Sequence, residues 1–567
     1  MPALKKRVRW RRKSVDLEVA EKISNELGIP SIVSKILVSR GQNTPTKAEK
    51  FLNPKIEDAE NPFIFPDMKK ASERLARAII NREKIGIFSD ADADGISAAA
   101  ILHNFLTDAG MTNDLIITKV PSRDKEGYGL SKDFIQDAYR NGVKLIITAD
   151  CGVRNHFEIS YAKSLGIDVV VCDHHHMDYS LPESAYAILH PKTIPEESAL
   201  SFLSGAGVAF ELVAGTRSVL RKLGIQTPKP RNYLDILSIG TVGDMVPLIG
   251  DNRIFVKYGL DILSQGTGNL GLRALVQRNN LKEVYTYDLQ MKIIPRINSS
   301  GRAGKPEISF KLLTEQNPKR VSEISDEIEE ANQWRKEKVQ AILDEIELLG
   351  IADDNQKHCI VAYGEDWPEG VVGLVAARLL EKTGKPTCVI SVRKDEARGS
   401  IRSPDFLNIM GILEKVSPLL RKYGGHAQAA GISLDPDKIE DFKHAFEMEI
   451  RKNLENSLNV ILDYDDDIVL DTIDNQSIYE IIKLEPFGEG NPLPLFIIDC
   501  DIVESKIVGG EHIKLYAKTK NGRIPMIAFG YAKKIQPFVG RSKMFAKLRP
   551  SQIDGAEFEV IDIITDF

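Results

Sequence analysis

The chain has few cysteines and none that could pair locally. Its five, Cys151, Cys172, Cys359, Cys388 and Cys500, stand far apart with no CxxC spacing. That argues against zinc ribbons and a disulfide framework and fits a reducing cytoplasm. No apolar run is long enough to span a bilayer, and there is no low-complexity tract; no membrane association is expected. The basic start, MPALKKRVRWRRK, has no apolar stretch behind it, so export is not expected. With Trp10 it reads either as a nucleic-acid-binding arm or as a solvated tail. Histidine is scarce as well, with ten in 567 residues, yet three stand side by side in VCDHHHMD (171–178). A buried strand has no use for them.

What is present is ordinary in bulk. Apolar residues make up 43% and charged residues 28% of the chain, and at about 100–200 residues per domain the length implies roughly three to five modules. The formal net charge of −6 decides nothing. An Asp-rich cluster lowers the total while a basic groove can remain local.

Between about Asp67 and Leu312, short β-rich runs alternate with helical stretches. KIGIFSD (84–90), LIITAD (145–150) and DVVVCD (168–173) each end in aspartate. Continuous Val/Ile runs separated by helices predict parallel strands buried on both faces, and ligands of such sheets bind beyond the carboxyl ends of the strands. Three acids are therefore aimed into one crevice. Further on, VSEISDEIEEANQWRKEKVQAILDEIELLG (321–350) is free of Gly and Pro until its end, with Pro318 where a helix could start. It predicts a connecting helix of about 45 Å, or alternatively a partner-binding coiled coil. HCIVAYG and PTCVISV, among helices, suggest a second α/β domain. Near the end, HIKLYAKTKNGRIPMIAFG (512–530) alternates faces, with Lys514, Tyr516 and Lys518 on one side and an NG hairpin signal at 521–522. A small barrel with such a face suits a single nucleic-acid strand; an edge hairpin with solvated lysines reads equally well.

The chemistry concentrates in SDADADG, where Asp90, Asp92 and Asp94 recur at every second position. An extended backbone puts all three on one side, and Gly95 then lets the chain turn into a helix. Carboxylates this close repel unless cations sit between them. Asp150, His174, His175 and Asp244 follow other apolar stretches. Oxygen ligands with a minority of imidazole suit Mg²⁺ or Mn²⁺, and the histidine favours Mn²⁺. A bridging carboxylate would hold two such ions about 3.5–4 Å apart, the arrangement that activates water against a phosphoryl centre. Phosphoester hydrolysis is the expected reaction. For any single Asp the commoner role is capping the next helix; the coincidence of four stations favours the metal.

The order DADADG, TADCG, CDHH, GTVGDMVPL closely resembles the DHH phosphoesterase superfamily. SGAGVAF (204–210), PRINSSGRAG (295–304), SIRSP (400–404), GGHAQAAG (424–431) and PFGEGNP (486–492) resemble further motifs of its bacterial RecJ family of single-strand-specific 5′ exonucleases. The likeness covers nearly the whole chain from about residue 30. It implies an α/β multidomain fold: a basic arm and helical region over 1–66, a parallel-sheet DHH domain over 67–312, a connecting helix over 313–350, a DHH-associated α/β domain over 351–455 and an OB-fold β-barrel over 456–567.

The resemblance implies metal ligation by Asp90, Asp92, Asp94, Asp150, His174 and Asp244, with Asp150 bridging two divalent ions, Mn²⁺ ahead of Mg²⁺. His175 would orient or protonate the scissile phosphate, Asp173 would support a histidine, and His176 has no motif role. Arg296 and Arg302 would contact phosphate; Arg402, Ser403 and His426 would grip the terminal nucleotide. The activity implied is 5′-to-3′ hydrolysis of single-stranded DNA to mononucleotides in repair and recombination, by two-metal activation of water for in-line attack, in a channel between the two α/β domains. Single-stranded DNA, a helicase and a single-strand-binding protein are the expected partners, and nothing demands more than a monomer. Two other readings stand beside it: a small-substrate DHH phosphoesterase, against which the C-terminal barrel argues, and a non-catalytic nucleic-acid scaffold, against which the filled acidic stations argue. GTGNLG (266–271) matches a dinucleotide fingerprint, but the helical spacing before it is wrong for one.

Overall fold

In this computed structural model the structure describes residues 8–122, 127–177, 180–352, 357–456 and 460–564. The apolar runs form a five-stranded parallel sheet of β1 (Ile85–Ser89), β2 (Ile116–Lys119), β3 (Leu145–Ala149), β4 (Asp168–Cys172) and β5 (Ala187–Leu189), in the order β2-β1-β3-β4-β5. Every residue of β1 and β3 is buried, as helices on both faces require. The three predicted strands are therefore strands, and Asp90, Asp150 and Asp173 each follow the end of one. Around the sheet lie α1 (Ala93–Asp108), α2 (Gly205–Lys222) and α3 (Leu234–Gly243), and Ile294–Arg302 forms α4. α1 is buried nearly all round, with α2 and α3 packed on it.

Pro318–Leu348 is one helix of 31 residues, α5. Pro318 stands at its first position, where a missing N–H costs nothing. By compactness the chain forms two units, a smaller one built mainly from Glu327–Leu462 with Ser299–Lys305, and a larger one from Arg12–Asn298, Pro306–Asp326 and Asp463–Phe567. α5 begins in the larger and ends in the smaller.

In the smaller unit, β6 (Ile360–Glu365), α6 (Glu369–Thr383), β7 (Thr387–Val392), β8 (Ala397–Arg402), β9 (Lys422–Gly425) and β10 (Ala429–Leu434) follow one another. The sheet runs β9-β10-β8-β7-β6, with only β6 and β7 parallel. Val339, Ile342 and Ile346 of α5 share a core with Ile360, Trp367 and Val371; Phe442 and Phe446 pack in a separate core with Ile390 and Ile401.

The larger unit also contains β11 (Asp466–Val469), β12 (Leu495–Val508), β13 (His512–Thr519), β14 (Gly522–Ala528), β15 (Gly540–Ser551) and β16 (Gly555–Ile564). β12 pairs with both β13 and β15, which closes the ring β12-β13-β14-β16-β15 into an OB-like barrel. The predicted hairpin is present, one residue earlier than the NG signal: Thr519 faces Gly522, so Lys520 and Asn521 form the loop. The helices Leu17–Leu27, Ser31–Ser39 and Pro45–Leu52 share the barrel's core through Ile23, Val33, Leu37 and Phe51. Arg253 is buried beside them, stacked 3.6 Å from the Phe51 ring and donating to the Phe51 and Leu484 carbonyls. Val8–Arg12 is a strand paired with Val460–Tyr464, so Trp10 sits in a two-stranded ribbon and not in a solvated tail. GTGNLG follows a helix, Gly250–Ser264, not the strand that a dinucleotide site needs. All five cysteines are free and buried. Among the described residues no helix is long and apolar enough to cross a membrane.

Candidate active site

The three acids of DADADG are brought together by a turn, not by the extended backbone that their spacing suggests. β1 stops at Ser89, Asp92 is the N-cap of α1, and Asp94 already lies in its first turn. Asp92 Oδ1 accepts the N–H groups of Asp94 (3.0 Å) and Gly95 (3.1 Å), so it caps the helix while it lines the site. Gly95 is dictated by proximity and not by turning, because a Cβ there would lie 2.5 Å from the Asp90 carbonyl oxygen. The Asp94 carboxylate accepts from Gly205 N–H (2.6 Å) and Ala206 N–H (3.0 Å) at the start of α2, where the helix dipole favours negative charge. A Cβ at Gly205 would lie 2.4 Å from Asp150 Cβ. SGAG is thus the seat on which two of the acids rest.

Asp150 adopts a left-handed backbone, φ 62°, which Asp tolerates better than most residues. His174 Nε2 lies 3.1 Å from Asp150 Oδ1, 3.4 Å from Asp244 Oδ2 and 3.8 Å from Asp94 Oδ2. Asp244 arrives from the C-cap of α3, a helix end. Three overlapping groups bring ligand atoms within 4.8 Å of one another: Asp90–Asp92–Asp150, Asp94–His174–Asp244 and Asp150–His174–His175. Asp150 and His174 each belong to two of them.

Burial, then repulsion by Asp94, Asp92, Asp90 and Asp244, pushes Asp150 well above the ordinary carboxyl range. Burial, followed by Asp94 and Asp92, pushes Asp244 up to about 8. Burial holds His174 below its ordinary value, which leaves a neutral imidazole able to ligate. The buried atoms Asp150 Oδ1 and His174 Nε2 have no hydrogen-bond partner among the described residues. Two buried polar atoms facing each other unbonded are costly, and a cation shared by both relieves the cost. The donor set of five carboxylates and one imidazole fits Mn²⁺ or Mg²⁺.

Asp173 is almost fully buried and accepts Val153 N–H (2.8 Å), His174 N–H (2.7 Å), His175 N–H (3.0 Å) and the His175 ring at Nδ1 (2.9 Å). Burial pushes it up, yet these bonds win and hold it at about 2. Burial also pulls His175 down, and the bond to Asp173 overrides that and raises it. His176 is exposed, and its carbonyl accepts from Arg154 Nε at 2.8 Å. Three neighbours were not expected from the sequence. The Tyr128 ring stands edge-on to His175 at 5.5 Å. His190, fully buried, accepts Lys192 N–H at Nδ1, so its Nε2–H donates to the His175 carbonyl (2.8 Å). Asn298 Oδ1 accepts Ala93 N–H at 2.8 Å.

Arg296 lies on α4 and donates to the Lys292 carbonyl (2.7 Å). In the smaller unit Arg302 donates to the Gly370 carbonyl (2.7 Å), and a Cβ on Gly373 would lie 3.1 Å from the Arg402 guanidinium. Both arginines therefore flank the first turns of α6, whose N-terminus has no side-chain cap; no sequence signal linked EGVVG to them. Ser403 is buried, its hydroxyl given to the Leu407 carbonyl (3.1 Å). His426 is exposed beside the edge strand β9.

On the barrel, Tyr516 lies under Arg523 (4.5 Å) and Lys506 (5.7 Å), and Lys518 is exposed. Lys514 departs from expectation: its ammonium pairs with Glu557 at 2.9 Å, both side chains largely covered. Facing outward in an alternating strand does not free a lysine when a neighbouring strand supplies a carboxylate.

A parallel sheet with such acids and histidines at its strand ends, joined through a long helix to a mixed α/β module and a barrel, defines a DHH-type phosphoesterase architecture. The family models agree: the DHH family N-terminal domain matches residues 84–241, the DHHA1 domain 356–452 and the RecJ OB domain 464–554. The chain is 31% identical over 536 residues to the single-stranded-DNA-specific exonuclease RecJ of Bacillus subtilis, covering 93% of this chain and 66% of that protein. It is 30% identical over 539 residues to the Escherichia coli protein of the same name, covering 92% and 91%. A crystal structure of RecJ from Thermus thermophilus in complex with Mn²⁺ superposes with a TM-score of 0.82 at 25% identity, over 99% of this chain and 80% of that one. The chain belongs to the RecJ family.

Proposed function

We propose that the protein is a divalent-metal-dependent exonuclease that hydrolyses single-stranded DNA from its 5′ end to mononucleotides, in repair and recombination. The observation that carries this reading is the Asp150–His174 pair, two buried ligand atoms 3.1 Å apart and unbonded, ringed by Asp94 and Asp244. Asp90, Asp92, Asp94, Asp150, His174 and Asp244 would hold two ions, with Asp150 shared. Bound there, Mn²⁺ or Mg²⁺ supplies Lewis acidity, lowering the pKa of a water and offsetting charge on the phosphoryl oxygens.

The rest is the work of the chain. Asp173 accepts the Nδ1–H of His175, so Nε2 is the nitrogen left for the phosphate or the leaving oxygen, an acceptor in the neutral ring and a proton donor in the imidazolium. Tyr128 limits the ring's rotation from one side. The acids admit an anionic strand only when their charge is neutralised, which ties substrate entry to metal loading. Arg302, Arg402 and His426, with the uncapped start of α6, suit a terminal phosphate. Tyr516, Lys518, Arg523 and Lys506 suit the trailing strand, rings for bases and cations for phosphates. Free, buried cysteines fit the reducing cytoplasm.

The test uses single-stranded DNA labelled at the 5′ or the 3′ end, with Mn²⁺, Mg²⁺ or EDTA, for the wild type and Asp150→Ala. Immediate release of labelled mononucleotide from the 5′ label alone, abolished by EDTA and by the substitution, is expected. Binding without release would favour a scaffold, and cleavage of dinucleotides alone a small-substrate phosphoesterase.

A further inference from the structure

Asn298 stands one helical turn beyond Ile294 on α4, and a Cβ at Gly243 would lie 3.1 Å from Ala93 Cβ and 3.5 Å from Ile294 Cγ2. Ala93 itself lies between the candidate ligands Asp92 and Asp94. The end of α3 that delivers Asp244, the acid turn and this face of α4 therefore meet at one point. The hydrogen bond from Ala93 N–H fixes which way the Asn298 amide is turned: a backbone N–H can only donate, so the atom facing it is Oδ1. The Nδ2 group must then point away from Ala93. Asn298 is partly exposed, and its Nδ2 has no hydrogen-bond partner among the described residues. Every carboxylate of the cluster is an acceptor and repels a phosphate oxygen; apart from the imidazoles, this amide is a donor held at the cluster's edge. A lysine in its place would fold onto the acids as a counter-ion. A neutral amide cannot be captured in that way.

We propose that Asn298 is a substrate-binding residue whose Nδ2 donates a hydrogen bond to a non-bridging oxygen of the phosphodiester while its Oδ1 stays fixed on Ala93. The assignment rests on the exonuclease reading for the identity of the substrate, not for the geometry. The donor and acceptor halves of the amide carry different duties, and substitutions separate them. Asn298→Asp keeps an oxygen for Ala93 and replaces the donor by an acceptor that repels phosphate. Asn298→Ala removes both.

Binding of fluorescent single-stranded DNA is measured by anisotropy with Ca²⁺, alongside kcat and KM with saturating Mn²⁺, Mn²⁺ affinity by electron paramagnetic resonance and thermal unfolding. The expected result is that Asn298→Asp folds and binds Mn²⁺ at least as well as the wild type, while DNA affinity and kcat/KM fall about 10- to 100-fold, the worth of a hydrogen bond to a charged group. Asn298→Ala should lose a similar factor. Wild-type behaviour of Asn298→Asp in DNA binding and turnover would overturn the proposal and leave the residue a support for the turn. Loss of Mn²⁺ binding in both variants would overturn it as well. A wild type that binds DNA and never cleaves it would defeat the exonuclease reading alone, since the ratio of DNA affinities still decides the role of Asn298.

Discussion

Asp173 Oδ1 lies 2.9 Å from His175 Nδ1 and also accepts the backbone N–H groups of His174 and His175. One carboxylate thus sets both the path of the chain through DHH and the tautomer of the second histidine. Asp173→Asn should leave the fold intact but present an N–H₂ group to donors. A fall in kcat of about 10- to 100-fold is expected, the usual cost of removing an outer partner in such a site, together with a lower unfolding temperature, because four hydrogen bonds to a buried, charged acceptor are weakened or lost. Unchanged kcat would show that His175 needs no such support.

The cluster should also be a site of stored repulsion. Removing one charge at its centre with Asp150→Asn, a residue that accepts the left-handed backbone, should raise the unfolding temperature of the metal-free protein. The same change should abolish the stabilisation by Mn²⁺, which for the wild type is about 2.7 kcal/mol at a hundredfold excess over Kd. Calorimetry with and without Mn²⁺ measures both. A variant less stable than the metal-free wild type would mean that the acids are already neutral and do not repel.

Gly205→Ala tests the seat beneath the acids. Its Cβ would fall 2.4 Å from that of Asp150, so α2 must retreat and withdraw the two N–H groups that Asp94 accepts. About 1–3 kcal/mol of stability should be lost, as in other overpacked sites, together with at least about a hundredfold in kcat/KM, since the ligands move with the helix. Urea titration and single-strand hydrolysis read the two effects; full activity would show that α2 can shift without moving the acids.

The core of the site was legible because it obeys local rules. Three Val/Ile runs ending in Asp90, Asp150 and Asp173 announce buried strands with acids at one end, and the Gly-free stretch after Pro318 announces α5. What escaped depends on pairs distant in sequence. Asp94 is held by Gly205 and Ala206, more than a hundred residues on; Asn298 holds Ala93 across 205 residues. Period two in DADADG suggested an extended strand, but N-capping by Asp92 won and started a helix. The pairing of Lys514 with Glu557 was hidden for the same reason, since nothing near it in sequence reveals that carboxylate.

That pairing has a measurable side on the barrel. Tyr516→Ala should weaken binding of a long single strand by about 1–3 kcal/mol, the worth of one stacked base, and leave hydrolysis of a dinucleotide unchanged. Lys514→Ala should act mainly on stability, by freeing Glu557 within the sheet. Titration of strands of increasing length would separate them, and equal effects of both substitutions on binding would restore Lys514 to the strand-binding face.

The last test concerns Asp235, buried in the first turn of α3, the helix that delivers Asp244. Burial pushes its carboxyl from 3.8 up to about 6, against the pull of hydrogen bonds from Asn269 N–H and Ile236 N–H. A carboxyl raised on folding binds its proton more tightly in the native state, so between these two values the folded protein holds more protons than the unfolded one. Stability from this group is therefore full below pH 3.8, declines as pH rises towards 6, and is flat above. The whole decline is roughly 3 kcal/mol. Asp235→Asn removes the titration, and the difference in unfolding free energy between wild type and variant cancels every other group. That difference should fall by about this amount between about pH 4 and 7. A flat difference would mean that Asp235 stays charged throughout, and the bonds from Asn269 and Ile236 would then outweigh its burial.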